Sequence, residues 1–477
     1  MRVNDLNLLW FQRLALVVGD LCSMLLAFVF AISFTQVYHA DLSHNPLVSF
    51  FTFGVSKFLG LLVICAFWYR EHYIKRRPFW EELRQILWLV AFFVMLNLGM
   101  AFVLGKGSLK ILIIGFWLAF AVMTPLIRVL IKLILRKFDL WQRPLYIVGS
   151  GKTALNAYNL FARNNLMGYT LVGFIDILAE AECAPRVKAL PARTLSEVQF
   201  MKLLKSNSDC DIIIALEHQD LNRKINLINF LQHNCLSLLV VPEISGLALY
   251  GAEIDHFFGN DQLVLRLNNN LARSTNALVK RIFDLICVTI GLIVLAPFFL
   301  VLALLIKFSA KSQIFYLHQR IGKHGKPFYC IKFQSMYANS AELLRELLAN
   351  DPLAKQEWEQ AFKLKDDPRV TPIGRWLRKT SLDELPQLFN VLLGNMSLVG
   401  PRPIVQQEIE RYKDGFYYYQ LVLPGISGLW QVSGRSETDY SDRVRLDAWY
   451  VKNWSLWYDV VILVKTIGVV FKRTGAY

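Results

Sequence analysis

Apolar and polar positions follow three regimes along the chain. In the first third, four long apolar runs, near 14–37, 47–69, 83–104 and 111–134, are separated by short polar stretches. Each approaches the roughly 20 residues an α-helix needs to cross a hydrocarbon core. The pattern therefore predicts a four-helix transmembrane bundle over 1–140. Trp10, Trp68, Tyr69, Trp80 and Trp88 sit near the run ends, as interfacial aromatics do. Between 143 and 268 the apolar runs shorten to strand length. Leu145-Tyr146-Ile147-Val148 leads straight into Gly149-Ser150-Gly151 and a helical pattern; a second strand from Tyr169 to Ile175 ends at Asp176; further runs follow at Ile212–Leu216 and Leu236–Val241. Strands alternating with helices imply a parallel sheet, predicting a Rossmann-like α/β domain over 141–270. The remainder, 271–477, reads as a third domain.

A fifth apolar stretch, Phe283 to Phe308, carries Pro297 in its middle and basic residues on both flanks: Arg273, Lys280 and Arg281 before it, Lys307, Lys311 and Arg320 after it. A spanning helix would leave one basic flank outside, against the positive-inside rule. Pro297 also removes a backbone donor. The expectation is a broken helix over 280–308 that dips into the inner leaflet and returns. The segment from Trp454 to Tyr477 mixes apolar and basic residues and suits either a helix on the membrane surface or an ordinary core helix.

Composition agrees. Of 477 residues, 55% are hydrophobic and 19% charged, with a formal net charge of +15. That is more apolar and less charged than a soluble protein, which excludes disorder and collagen-like chains. The loop after the first run has no Lys or Arg, whereas Arg70, Lys75, Arg76 and Arg77 follow the second and Arg128, Lys132, Arg136, Lys137 and Arg143 flank the end of the fourth. The rule then places both ends of the bundle in the cytoplasm. Asp20, inside the first run, is close enough to the interface to be solvated. Seven cysteines without a CxxC pair support neither disulfides nor zinc. The basic excess suits anionic lipid and a phosphorylated substrate; nucleic acid is not needed to explain it.

Two motifs invite chemistry. Gly149-x-Gly151-x-x-Ala154 with Asp176 fits a dinucleotide fingerprint moderately; it is not a Walker A sequence, because Tyr146 stands where that motif needs glycine. Read alone, it would make the chain a membrane-tethered NAD-dependent nucleotide-sugar oxidoreductase or epimerase. The stronger motif is Asp383-Glu384, flanked by Arg378 and Arg402. Such a pair can hold a divalent cation while the arginines grip phosphate, and a carboxylate can itself be the nucleophile of a two-step phosphoryl transfer. Ser381-x-x-Glu384 also has the form of a helix capping box, and both readings stay open at this level.

Several motifs together resemble the bacterial sugar-transferase family of polyprenyl-phosphate hexose-1-phosphate transferases. They are Lys280-Arg281-x-Phe283-Asp284, the interrupted membrane helix, Lys332-Phe333, Thr380-Ser381-Leu382-Asp383-Glu384-Leu385-Pro386-Gln387, Gly400-Pro401-Arg402-Pro403 and Pro424-Gly425-Ile426-Ser427-Gly428. The N-terminal bundle and middle domain are similar to the long-form members. The runs Leu347–Trp358 and Trp449–Trp454 resemble the galactose-transferring type more than the glucose type. The resemblance implies an enzyme of the bacterial inner membrane, multi-pass, with its catalytic domain on the cytoplasmic face. It would move galactose-1-phosphate, or alternatively glucose-1-phosphate, from a UDP-hexose to undecaprenyl phosphate, releasing UMP and initiating O-antigen, capsule or exopolysaccharide synthesis. Asp383 would carry the phosphosugar covalently and hold Mg²⁺, and Glu384 would assist. Lys332, Arg378, Arg402, Pro403, Gln431 and Arg435 would bind substrate, with Arg435 toward the nucleotide. Lys280, Arg281, Asp284 and Pro297 would anchor the membrane hairpin at the interface. Partners would be the two substrates, membrane lipids and a second copy in a homodimer. Two positions depart from the family pattern: Gln334 stands where Arg is usual, and Ala296 replaces the small polar residue before the hairpin proline.

Overall fold

The computed structural model describes residues 3–38, 46–103, 110–176, 193–196, 199–200, 211–216, 225–234, 237–242, 249–256, 263–266, 274–310, 313–337, 339–351, 367–434 and 439–472. The chain forms two compact units, Met1–Ile244 and Ser245–Tyr477.

The first unit opens with four helices, α1 (Val3–Tyr38), α2 (Pro46–Tyr69), α3 (Phe79–Val103) and α4 (Lys110–Lys137). They extend past the apolar runs because polar flanks continue the helical hydrogen bonding into the interface. Among the described residues, Leu8–Phe34, Phe79–Val103 and Lys110–Lys137 are long and apolar enough to cross a membrane, as is Thr275–Phe308 in the second unit; the apolar part of α2 described here, Lys57–Tyr69, is shorter. The helices bury Phe67, Phe116, Trp117 and Phe120 against one another and turn Trp88, Met95 and Phe102 outward. A soluble bundle would turn polar side chains outward; lipid is the solvent this surface suits.

Asp20 is a correction to the sequence reading. It is fully buried rather than solvated. Arg128 of α4 donates to it through Nε (2.8 Å) and Nη2 (2.6 Å), and Tyr73 Oη donates at 2.6 Å. Arg128 Nη1 also donates to Glu82 of α3 at 2.9 Å, and Lys132, one turn on, pairs with the other oxygen of Glu82. Two cations thus meet two carboxylates in a low-dielectric interior, where an unpaired charge would be far more costly than a paired one.

After the bundle come β1 (Arg143–Val148), α5 (Lys152–Arg163), β2 (Tyr169–Asp176), β3 (Arg193–Ser196), β4 (Asp211–Ile214), α6 (Ile225–Asn234) and β5 (Ser237–Val240). The five strands form one sheet in the order β3-β2-β1-β4-β5, parallel throughout. Tyr146, Val148, Ile212 and Ile214 bury against one apolar layer, and Leu145, Ile147 and Ile213 against the other. A strand buried on both faces reads as a continuous apolar run, which is why β1 and β4 were visible in the sequence. β3, with Arg193 and Ser196, was not. Gly149 follows β1 at φ +120°, and a Cβ there would stand 2.5 Å from the Ala215 carbonyl, so the turn requires glycine.

The second unit contains an antiparallel hairpin, β6 (Glu253–His256) and β7 (Leu263–Arg266), then the long helix α7 (Ser274–Ala310). Helical structure continues on both sides of Pro297, where the sequence predicts a break. Proline removes one amide donor, and the surrounding bonds of a 37-residue helix persist around it. Ala296 is exposed on α7 and, unlike a serine, has no hydroxyl to offer a backbone carbonyl beside Pro297. Lys280, Arg281 and Asp284, the expected hairpin anchors, are fastened to protein. Lys280 Nζ donates to Asp459 (2.7 Å) and to the Val399 carbonyl (3.0 Å). Arg281 donates to the Val391 and Leu392 carbonyls, and Ser397 Oγ donates to Asp284 at 2.7 Å.

Next come β8 (Phe315–Ile321), β9 (Pro327–Phe333), α8 (Ser340–Asn350), α9 (Pro372–Thr380), α10 (Gln387–Leu393), β10 (Ser397–Val399), β11 (Gly425–Ser427), α11 (Tyr440–Lys452) and α12 (Leu456–Lys472). α12 has one face in the core: Val461 and Ile462 are buried, and Asp459 accepts from Lys280, Tyr450 and Trp454. Only its outer face, with Val464 and Ile467, is exposed.

Asp447 of α11 is buried and accepts from Tyr412 Oη at 2.8 Å. Burial pushes its pKa up to about 7, against the pull of Tyr412 and Arg443. The folded protein thus holds a proton that the unfolded carboxyl, with an ordinary value of 3.8, has lost. Stability from this group is present at low pH and declines as pH rises from about 4 to 7. Asp447→Asn keeps an acceptor for Tyr412 without the charge. The variant should melt higher than the parent at pH 8 and no higher at pH 4; equal shifts at both would refute the protonation.

Candidate active site

The Asp383-Glu384 pair is positioned by a short chain of local causes. Thr371 caps α9, its hydroxyl accepting from Gly374 N at 2.9 Å, and Pro372 occupies the first turn, where its missing N–H costs nothing. Gly374 lets the helix approach the strand end closely: a Cβ there would lie 2.0 Å from the Ser335 carbonyl. α9 ends at Ser381, held in the left-handed region at φ 57°. A single 3₁₀ turn, Leu382–Glu384, follows, and Pro386 then begins the approach to α10. Leu382 and Leu385 sink into an apolar cluster with Phe299, Leu302 and Ile306 of α7 and Phe333 of β9. The capping-box alternative is overturned, because Ser381 makes no side-chain cap bond and the Glu384 carboxylate is engaged elsewhere.

Lys332 reaches the pair from β9, with Nζ donating to Glu384 Oε1 at 2.7 Å. Arg402 Nη2 stands 3.6 Å from the same oxygen. Its loop is carried by parallel pairing of β10 with β11. Gly425 N donates to the Pro401 carbonyl and Gly400 N to Ser427, so the two Pro/Gly motifs form one structure. Pro403 is buried in that loop. Ile404 pairs with Ile321 at the end of β8, which brings the loop to the hairpin. Arg378 is oriented by its Nε bond to Ser335 Oγ, 2.9 Å.

The two carboxyls diverge electrostatically. Burial alone would raise Glu384, but Lys332 and Arg402 hold its pKa down at about 2. Asp383 has no salt bridge among the described residues; burial and then the Glu384 charge push it up to about 6, with Lys332 and Arg378 opposing. One carboxylate is committed to its cations and the other stays available and unusually basic. Environments that drive neighbouring acids apart mark division of labour.

Arg320 and His318 belong to the same neighbourhood, although the sequence reading took Arg320 for a membrane flank. In the β8–β9 register, His318 pairs with Cys330 and Arg320 with Phe328. Strand alternation puts both on the face that carries Lys332. Arg320 Nη1 stands 3.9 Å from Glu408, and Glu408 is 3.7 Å from Arg443. Burial and the neighbouring Arg320 and Lys332 lower the His318 pKa to about 4. The period-two spacing of His318 and Arg320 before the Lys332 strand was the signal available.

Beyond Glu408 the Arg443 guanidinium lies over Trp430 (4.6 Å to the ring centre) and Tyr440 (5.3 Å). Trp430 Nε1, Tyr440 Oη and Arg443 Nε are buried without hydrogen-bond partners among the described residues. Gln431 is half-buried beside them, its Oε1 next to Gly428. Arg435 lies outside the described residues, as do residues 352–358 of the first galactose-type run. Gln334 donates to the Met336 carbonyl at 2.8 Å and carries no charge into the site. Among the described residues no cluster of three His, Cys, Asp or Glu forms a ready metal cage.

Four cations, Lys332, Arg320, Arg378 and Arg402, thus surround two carboxylates, leaving an excess of positive charge suited to phosphate. Comparisons with known proteins agree. Residues 275–473 match the family described as bacterial sugar transferase. The chain is 44% identical to the undecaprenyl-phosphate galactose phosphotransferase of Salmonella typhimurium over 87% of each sequence. It is 40% identical to the UDP-galactose-lipid carrier transferase of Erwinia amylovora, over 98% of this chain and 97% of that one. It is 32% identical to the UDP-glucose:undecaprenyl-phosphate glucose-1-phosphate transferase of Escherichia coli over 58% of each. Likeness across nearly the whole length, and not at one motif alone, makes this chain a transferase of the bacterial sugar transferase family.

Proposed function

We propose that the protein transfers hexose-1-phosphate, galactose-1-phosphate in the first instance, from a UDP-hexose to undecaprenyl phosphate. The carrying observation is the free, basic Asp383 beside a Glu384 pinned by Lys332 and Arg402. An Asp383 oxygen attacks the sugar-bearing phosphorus; the P–O bond to UMP breaks and UMP leaves with that electron pair. An oxygen of the lipid phosphate then attacks the same phosphorus, displacing Asp383 and leaving a lipid diphosphosugar. Arg320, Arg378 and Arg402 hold the phosphate oxygens, and Trp430, Gln431 and Arg443, with Arg435, are assigned to the nucleotide end. Mg²⁺ would be held by Asp383 together with diphosphate oxygens, as that ion commonly combines one or two carboxylates with substrate phosphates. Bound there, it would supply charge neutralisation.

The reading extends to the membrane. We infer an inner-membrane protein with bundle 1–140, Rossmann-like domain 141–270 and catalytic domain 271–477 on the cytoplasmic face. Support for a re-entrant α7 is that both its halves pack on the same domain: Arg281 bonds the carbonyls ending α10, and Phe299 lies 5.8 Å from Phe389 of α10. As a straight rod, the 34-residue apolar stretch would be about 51 Å long, far beyond a single crossing.

Two outcomes test this. Without lipid acceptor, UDP-galactose should yield UMP in an amount equal to the enzyme present; none would favour direct transfer. Because Asp383 must be ionised to attack, kcat/KM should be full above pH 6–7 and fall about tenfold per unit below pH 6. Replacing Glu384 by Gln removes a charge that raises Asp383 and should move this acid limb to lower pH. A panel of UDP-sugars decides between galactose and glucose.

A further inference from the structure

The end of the bundle that carries the basic loops encloses a cavity that sugar transfer does not use. Its volume is about 30 Å³, and six basic side chains line it: Arg13, Lys75, Arg76, Arg77, Lys132 and Arg143. No carboxylate lines it. Lys75, Lys132 and Arg143 are paired with Glu71, Glu82 and Asp211, which leaves Arg13, Arg76 and Arg77 without a carboxylate among the described residues. Arg76 is satisfied by neutral acceptors alone, the Trp141, Met167 and Gly168 carbonyls and Gln12, while stacked on Trp141.

His72 supplies an independent observation. It lines the cavity and is 4% exposed. Its Nδ1 lies 3.3 Å from Arg128 Nη1. A guanidinium can only donate, so Nδ1 accepts and the proton sits on Nε2. That Nε2–H is buried and has no hydrogen-bond partner among the described residues. Burial and Arg128 keep the ring neutral, its pKa down near 3, so the ring adds no charge of its own to the lining. The chemistry missing is a compact anionic acceptor.

We propose that this cavity binds a single phosphate group, as the free anion or as a phosphomonoester headgroup entering from the membrane interface. It holds the equivalent of about two or three waters, which admits one tetrahedral oxyanion and excludes a nucleotide. Basic pockets between helices at the membrane surface receive anionic headgroups for the same reason. Occupancy would bridge α1, the 70–77 loop, α4 and the start of the α/β domain, since each contributes a lining residue.

The test uses the full chain in nanodiscs of phosphatidylcholine, read by thermal midpoint. Inorganic phosphate is titrated against chloride at equal ionic strength, and separately one fifth of the lipid is replaced by phosphatidic acid. A saturable rise of about 3 °C or more at ten times the dissociation constant is expected for at least one probe. A rise with phosphate assigns the free anion, and one with phosphatidic acid alone assigns the headgroup. Arg13→Gln and, independently, the more exposed Lys75→Gln should each weaken binding about fivefold or more. Arg402→Gln, in the other unit, separates this site from the sugar-transfer site: the response should survive it whether or not transfer does. No shift beyond the chloride control, or a response abolished by Arg402→Gln and untouched by Arg13→Gln, overturns the proposal.

Discussion

Asp383→Asn is expected to lower transfer of labelled phosphosugar to lipid by at least about 10⁴-fold, as removal of a covalent nucleophile does. The asparagine has nearly the same shape, so Leu382 and Leu385 should still seat the turn in its apolar cluster. Binding of UDP-hexose, held by the cations, should change little. Lipid-linked product and adduct mass report on different steps: the variant should form neither product nor phosphosugar adduct, while the parent forms both. Retained turnover would remove Asp383 from the nucleophile's role. Glu384→Gln should cost less, about 10²-fold, because it disturbs the Lys332 and Arg402 cations without deleting the attacking atom. The contrast follows from the different electrostatic positions of the two acids.

The largest stability effect is expected at Arg128→Leu. The arginine is 1% exposed and bonds both Asp20 and Glu82. Its loss leaves Asp20 buried with only Tyr73 as donor, and stranding a buried charge costs about 3–5 kcal/mol. Thermal unfolding in nanodiscs should show a lower midpoint for the first unit. The double change Asp20→Leu with Arg128→Leu removes the stranded charge and should recover much of the loss. If the double variant is as unstable as the single, packing and not charge explains the effect. Recovery would also establish Asp20 as structural, since a fully paired acid has no need of solvent.

Much of this was legible in the chain. Long apolar runs announced the helices of the bundle, and two-sided apolar strands announced β1 and β4, because the solvent each faces dictates composition. The Asp383-Glu384 motif and its arginines were equally visible. β3 was missed because a short strand carrying Arg193 and Ser196 has no periodic signal. Arg320 was misplaced for a different reason. Its flank position next to an apolar run is a one-dimensional fact, and its place beside Lys332 depends on hairpin register.

The sequence by itself determined which segments are apolar enough for lipid, where four of the five strands of the parallel sheet fall, the positive charge and the residue types of the site. Those follow from local composition and spacing. Only the tertiary structure decided what each charge meets. It paired Asp20 with Arg128 across 108 residues, turned Lys280 and Asp284 inward onto the catalytic domain, carried α7 through Pro297, and committed Glu384 to Lys332 and Arg402 while leaving Asp383 unpaired. The strength of a charge depends on its neighbours and its burial, and neither is a property of the order of residues along the chain.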